Sequence, residues 1–173
     1  MLKQIITFGL FSVMLLWITS CKKDKANTDV PLDTISATID GTTTTFNYGA
    51  KATVLSVSGG YGISIQGSKK DPSASQTNLS FSIASPSVIT PKTYAENASS
   101  NPLVEMNYAY DLIFGIVYTS VAYGSTTNPV TITITDINST SVKGTFSGEL
   151  LGTGVDGNPV KTVFANGVFY VKL

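Results

Sequence analysis

The chain has 173 residues, a charged fraction of 13 % and a formal net charge of zero. That length holds one domain with a real hydrophobic core, and that balance supplies no field for steering nucleic acid, which argues against it as a partner. There is no His and no Arg, and the lone Cys and lone Trp are Cys21 and Trp17, so no Ser-His-Asp or Cys-His relay and no internal disulfide can be built.

Lys3 precedes an apolar run from Ile5 to Ile18, interrupted by Thr7, Gly9 and Ser12 and followed by the small Thr19 and Ser20. This is a signal-peptide layout. As a helix rising about 1.5 Å per residue, the run is too short to cross a core of roughly 30 Å comfortably. Its ending, Ile18-Thr19-Ser20-Cys21, resembles the bacterial lipobox. The resemblance implies that residues 1–20 are a cleaved signal helix and that Cys21 becomes the lipidated first residue of the mature chain. Each buried acyl CH₂ contributes about 0.8 kcal/mol, and more than one acyl chain gives a stable membrane anchor.

Residues 21–33 are expected to form a flexible tether, because Lys22 to Asp33 is polar, contains Pro31 and shows no apolar periodicity. The start Cys21-Lys22-Lys23-Asp24 is similar to mature lipoproteins of Bacteroidota, which implies an outer-membrane address. Lys25 interrupts the acidic run that marks export to the surface, so the periplasmic and surface faces both stay open. Asp33-Thr34-Ile35 resembles a Bacteroidota O-glycosylation tripeptide and makes Thr34 a candidate site.

From residue 34 to residue 173, period-2 alternation dominates and no 3.6-residue repeat stands out, so the domain is expected to be all-β. Ile35, Ala37 and Ile39 alternate with polar neighbours, Asp40-Gly41 suits a two-residue hairpin turn, and Thr42 to Phe46 returns. Val54 to Val57 leads through Ser58-Gly59-Gly60 into Tyr61, Ile63 and Ile65, and a loop is expected from Gly67 to Asn78. Leu79, Phe81 and Ile83 form the next strand, Pro86 and Pro91 interrupt pairing beyond it, and Tyr94 to Pro102 reads as loop.

Leu103 to Tyr110 follows, then Leu112 to Val121, apolar on both faces as a central strand would be. Val130, Ile132 and Ile134 alternate with threonines before a turn at Asp136 to Ser139. Val142 to Leu151 comes next, and Val160 to Ala165 is expected to turn at Asn166-Gly167 into a last strand, Val168 to Leu173. About ten short strands joined by short turns favour an antiparallel meander that closes as a β-sandwich or a β-barrel.

Ala-Thr-Ile-Asp-Gly at Ala37 to Gly41, Thr131 to Ile137, Lys-Gly-Thr-Phe-Ser-Gly at Lys143 to Gly148 and Asn-Gly-Val-Phe at Asn166 to Phe169 together resemble a family of small Bacteroidota lipoproteins. The resemblance covers nearly the whole mature domain. It implies a fold and an address, and carries no site residues across.

Asp40, Asp71, Glu96, Glu105, Asp111, Asp136, Glu149 and Asp156 are the domain's acids, most of them at expected turns. A glycosidase needs two carboxylates roughly 5 to 10 Å apart, and Glu105 with Glu149 is the least implausible pair because both lie within strands. Val155-Asp156-Gly157-Asn158-Pro159 offers too few oxygens for calcium and fits a plain turn better. Zinc lacks nitrogen and sulfur ligands, so no metal and no cofactor is expected. Tyr61, Tyr108, Tyr110, Tyr118 and Tyr123 are the candidate ligand-contact aromatics. The expectation is a membrane-anchored, non-enzymatic binding or structural module of the cell envelope, its partner a glycan or an envelope protein. The alternative is a carbohydrate-binding accessory lipoprotein of a polysaccharide-uptake system.

Overall fold

The computed structural model describes residues 30–57, 59–69, 77–96, 102–110, 116–120 and 127–173. The expected signal peptide, Cys21, the tether up to residue 29, Asp71, Asp111 and Tyr123 lie outside the described residues. Among those described, no helix is long and apolar enough to cross a membrane.

β1 (Thr34–Ile39) turns its alternate residues Ile35, Ala37 and Ile39 inward. Asp40 and Gly41 follow at φ 46 and 85, the doubly positive pair whose twist matches the flanking strands, and β2 (Thr42–Thr45) returns against β1. Phe46 and Asn47 lead straight into β3 (Tyr48–Val57), which reverses into β4 (Gly60–Lys69) and then β5 (Thr77–Ser85). The rest are β6 (Lys92–Ala95), β7 (Leu103–Tyr110), β8 (Ile116–Thr119), β9 (Thr131–Ile137), β10 (Ser141–Thr153) and β11 (Pro159–Lys172).

All the pairings are antiparallel, in the order β2-β1-β11-β10-β8-β7-β5-β4-β3. β10 is long enough to take two partners on one edge: Val142 to Ser147 pairs with β9, which carries β6 beyond it, while Leu151 and Gly152 pair with β8. The sheet curls into a half-barrel. β2 and β3 stand at opposite ends of the strand order, yet two residues, Phe46 and Asn47, join them. Gly67 of β4 permits that approach, because a Cβ there would lie 2.3 Å from the Phe46 carbonyl oxygen. Bulges add the bend: the β10–β11 register slips between Phe146 and Gly148, opposite Asn166 at φ 51.

The concave side is the core. Phe81 lies 4.8 Å from Phe146 and 5.2 Å from Phe169 between ring centroids, and Phe164 stands edge-on to Tyr108 at 5.3 Å. Such edge-on and tilted pairs suit the ring quadrupoles and add about 1 kcal/mol each beyond their burial. The convex side carries Ser, Thr, Asn and Gln, the neutral polar residues that fill the alternate positions of nearly every strand.

Three expectations change. Tyr94 belongs to β6 and not to a loop: it is 1 % exposed, and its hydroxyl donates to the Thr90 carbonyl and accepts the Thr90 N–H. Pro91 sits just before that strand, where its missing N–H is harmless. Asn166-Gly167 makes no hairpin, since β11 runs unbroken through it as a bulge imposed by β10. The expected loop from Gly67 to Asn78 is shorter, because β4 and β5 pair out to Lys69 and Thr77. Of the expected strand Leu112 to Val121, residues 116–120 are described and Ile116–Thr119 form β8, while residues 112–115 and 121 lie outside the described residues.

Candidate functional site

Pleat and strand position sort the candidate tyrosines. Tyr108, Tyr110 and Tyr118 come together on the concave side, with Tyr108 centroids 6.4 Å from Tyr110 and 5.9 Å from Tyr118. Tyr108 is 7 % exposed and belongs to the core, Tyr118 packs half-buried against it, and Tyr110 at the strand end is 53 % exposed. Burial, reinforced by Tyr110, Tyr118 and Asp40, pushes the Tyr108 phenol up to about 12. Tyr61 is 43 % exposed but pairs with Ser56 and Ser85 at the other end of β4, away from this cluster.

The carboxylates are mostly occupied. Register places Glu105 of β7 level with Glu149 of β10 on the convex face, since Asn107 and Leu151, two residues on in each strand, both pair with Thr119 of β8. Two strand spacings, about 10 Å, separate them. Glu105 accepts Asn107 Nδ2 at 2.9 Å, and Glu149, 7 % exposed, pairs with Lys161 at 3.4 Å. Glu96 is a clamp, its carboxylate accepting the Val130 N–H at 3.1 Å. Asp156 closes a turn: Oδ1 takes the Asn158 N–H at 3.0 Å and Oδ2 takes Asn158 Nδ2 at 2.8 Å. Those bonds hold its carboxyl below the usual range. Among the described residues, no group of three metal-ligating side chains gathers.

Two of the open depressions on the convex face are lined largely by polar residues. One, of about 290 Å³ over β9, β10 and β11, is lined by Thr131, Thr133, Thr145 and Ser147. Its hydroxyls already serve each other, Thr131 and Ser147 bonding at 3.1 Å. The other, of about 440 Å³ over β3, β4 and β5, is lined by Tyr48, Lys51, Gln66, Ser68, Asn78 and Ser80. Tyr48 is 57 % exposed there. A cavity of this size with an exposed ring and convergent polar groups has the makings of a ligand site. No family model matches the chain, and neither a curated protein nor a solved structure matches it.

Tyr48 was missed by the alternation, which picks out residues that face the core. Its signal is weaker: an aromatic between Asn47 and Gly49, two turn-forming residues, outside any apolar pattern.

Ladder partners place this depression relative to Thr34, the first residue of β1. Tyr48, Ser68, Asn78 and Ala109 form one row across β3, β4, β5 and β7, beside Tyr108 and Tyr110. Tyr108 pairs with Tyr118, and Tyr118 with Gly152 of β10. Thr34 pairs with Tyr170, which pairs with Lys143 at the opposite end of β10. The curl of the sheet closes that path: the Phe46 N–H donates to the Ile35 carbonyl at 2.7 Å, so Tyr48, two residues on, stands near Thr34.

Proposed function

We propose that this chain is a lipid-anchored lipoprotein of the cell envelope, in the outer membrane, whose β domain is a non-enzymatic binding module. Support for the anchor comes from the lipobox-like Ile18-Thr19-Ser20-Cys21 at the end of an apolar leader. What carries the binding role is the depression of about 440 Å³ over β3, β4 and β5, where the exposed Tyr48 ring meets amide, hydroxyl and ammonium groups. Asp33 ties the tether's last residue down through a 2.6 Å bond from Lys172 of β11.

The non-enzymatic reading rests on the missing His and on carboxylates committed to Asn107, Lys161 and the Val130 backbone. On this account the curled sheet, with β2 leading directly into β3, functions as a closed barrel, and Thr34, first residue of β1 and half-buried, is a glycosylation site. A mass increment lost in Thr34→Ala would establish the modification.

Fractionation of cells expressing the full chain tests the anchor. Wild type is expected in the outer-membrane fraction and Cys21→Ser outside it at precursor size. Membrane retention of a processed Cys21→Ser protein would refute the anchor.

A carbohydrate-binding accessory role is the second reading, favoured by one observation: Tyr48 offers an exposed ring beside amide and hydroxyl donors. Sugar rings stack on such faces. A glycan array probed with the full chain is expected to show saturable binding, and a blank array would remove this role.

A further inference from the structure

The depression over β3, β4 and β5 is built by a deviation from regular strand geometry. In an unbroken strand, residues three apart point to opposite faces. Tyr48 and Lys51 are three apart, yet both line the depression, because Gly49 at φ 63 introduces a bulge that shifts the β3–β4 register between them. The chain thus places a ring and an ammonium side by side on one outer face.

What lines the site is chemically selective. Lys51 is its one charged side chain among the described residues, and it belongs to neither of their ion pairs. Ser68 donates to Asn78, which fixes one wall. Gln66 and Ser80 stand in the row between Lys51 and Asn107, their side chains uncommitted to any hydrogen bond among the described residues. A neutral sugar would leave the ammonium unused, and a bare inorganic anion would leave the ring unused.

We propose that this depression binds an acidic glycan, a chain of sugar rings bearing carboxylates. Tyr48 stacks on a ring face, Lys51 pairs with the carboxylate, and Gln66 and Ser80 bond the ring hydroxyls. This rests on the carbohydrate-binding reading above and adds to it the substrate class and the residues.

Calorimetric titration of the full chain with a galacturonic acid hexamer and with its methyl ester, which keeps the rings and loses the charge, tests it. Saturable binding of the acid is expected, weaker binding of the ester, about tenfold loss in Tyr48→Ala and about fivefold loss in Lys51→Gln. Added salt should weaken wild type and leave Lys51→Gln nearly unchanged. Both side chains are exposed, so unchanged melting temperatures would show that the variants fold. Equal binding of acid and ester, wild-type affinity in both variants, or binding of neutral glycans alone on the array would overturn the inference while the carbohydrate role stands. A blank array together with no binding of the hexamer would overturn both.

Discussion

Asp40 and Val163 hold each other across a sequence separation of 123 residues: Asp40 Oδ1 accepts the Val163 N–H at 2.8 Å, and the Asp40 N–H donates to the Val163 carbonyl at 3.0 Å. The other carboxylate oxygen accepts the Thr162 hydroxyl at 2.8 Å. The β1–β2 hairpin is thereby pinned to β11. Two effects meet at this residue, the loss of charge-assisted bonds and the strain of φ 46. Asp40→Gly relieves the strain and should cost about 1 kcal/mol in urea unfolding, whereas Asp40→Ala should cost about 2 kcal/mol. Equal stability of both variants and wild type would show that the clasp contributes nothing.

Gly144 should tolerate no side chain at all. A Cβ there would sit 2.1 Å from the Thr133 carbonyl oxygen and 2.5 Å from the Phe169 ring, in a ladder where Gly144 faces Phe169 and Ile134. Backbone on one side and a buried ring on the other cannot both retreat, so Gly144→Ala should destabilise by about 3 kcal/mol. Gly41→Ala meets open space and carries only the strain of φ 85, about 1 kcal/mol. Thermal unfolding of the two variants distinguishes steric from conformational cost, and a reversed order would contradict the packing described.

Tyr108 makes the domain alkali-sensitive. Its phenol is raised from 10.0 to about 12 in the folded chain, so the folded state holds the proton more tightly than the unfolded state does. The associated stability is complete below pH 10 and is lost as pH rises from there through about 12. Tyr108→Phe cannot ionise at this position and should flatten the alkaline limb of the stability profile, measured by denaturant titration between pH 8 and pH 12. Identical limbs in the two proteins would refute it.

Much of the fold can be read from local chemistry. β1 and β9 show alternation because their inner faces are buried and their outer faces are polar, so pleat and burial coincide in the letters Thr-Ile-Ser-Ala-Thr-Ile and Thr-Ile-Thr-Ile. Asn166-Gly167 is different: the pair accepts positive φ in a turn or in a bulge, and the choice is made by the 13-residue β10 lying alongside, a non-local partner. Tyr94 was illegible for a related reason, since four residues pair only because β9 offers an edge. At the site, Tyr108 and Tyr110 share a face, and distance from the strand end alone makes one core and the other exposed. Tyr48 and Lys51 share a face only through the bulge at Gly49, which regular alternation cannot express.

The proposed anchor depends most on Cys21 being the first residue of the mature chain. Mass spectrometry of the protein taken from native membranes should find an N-terminal peptide beginning at Cys21 and carrying the mass of its acyl groups. A peptide that retains residues 1–20, or that begins elsewhere and contains a free Cys21 thiol, would contradict the account.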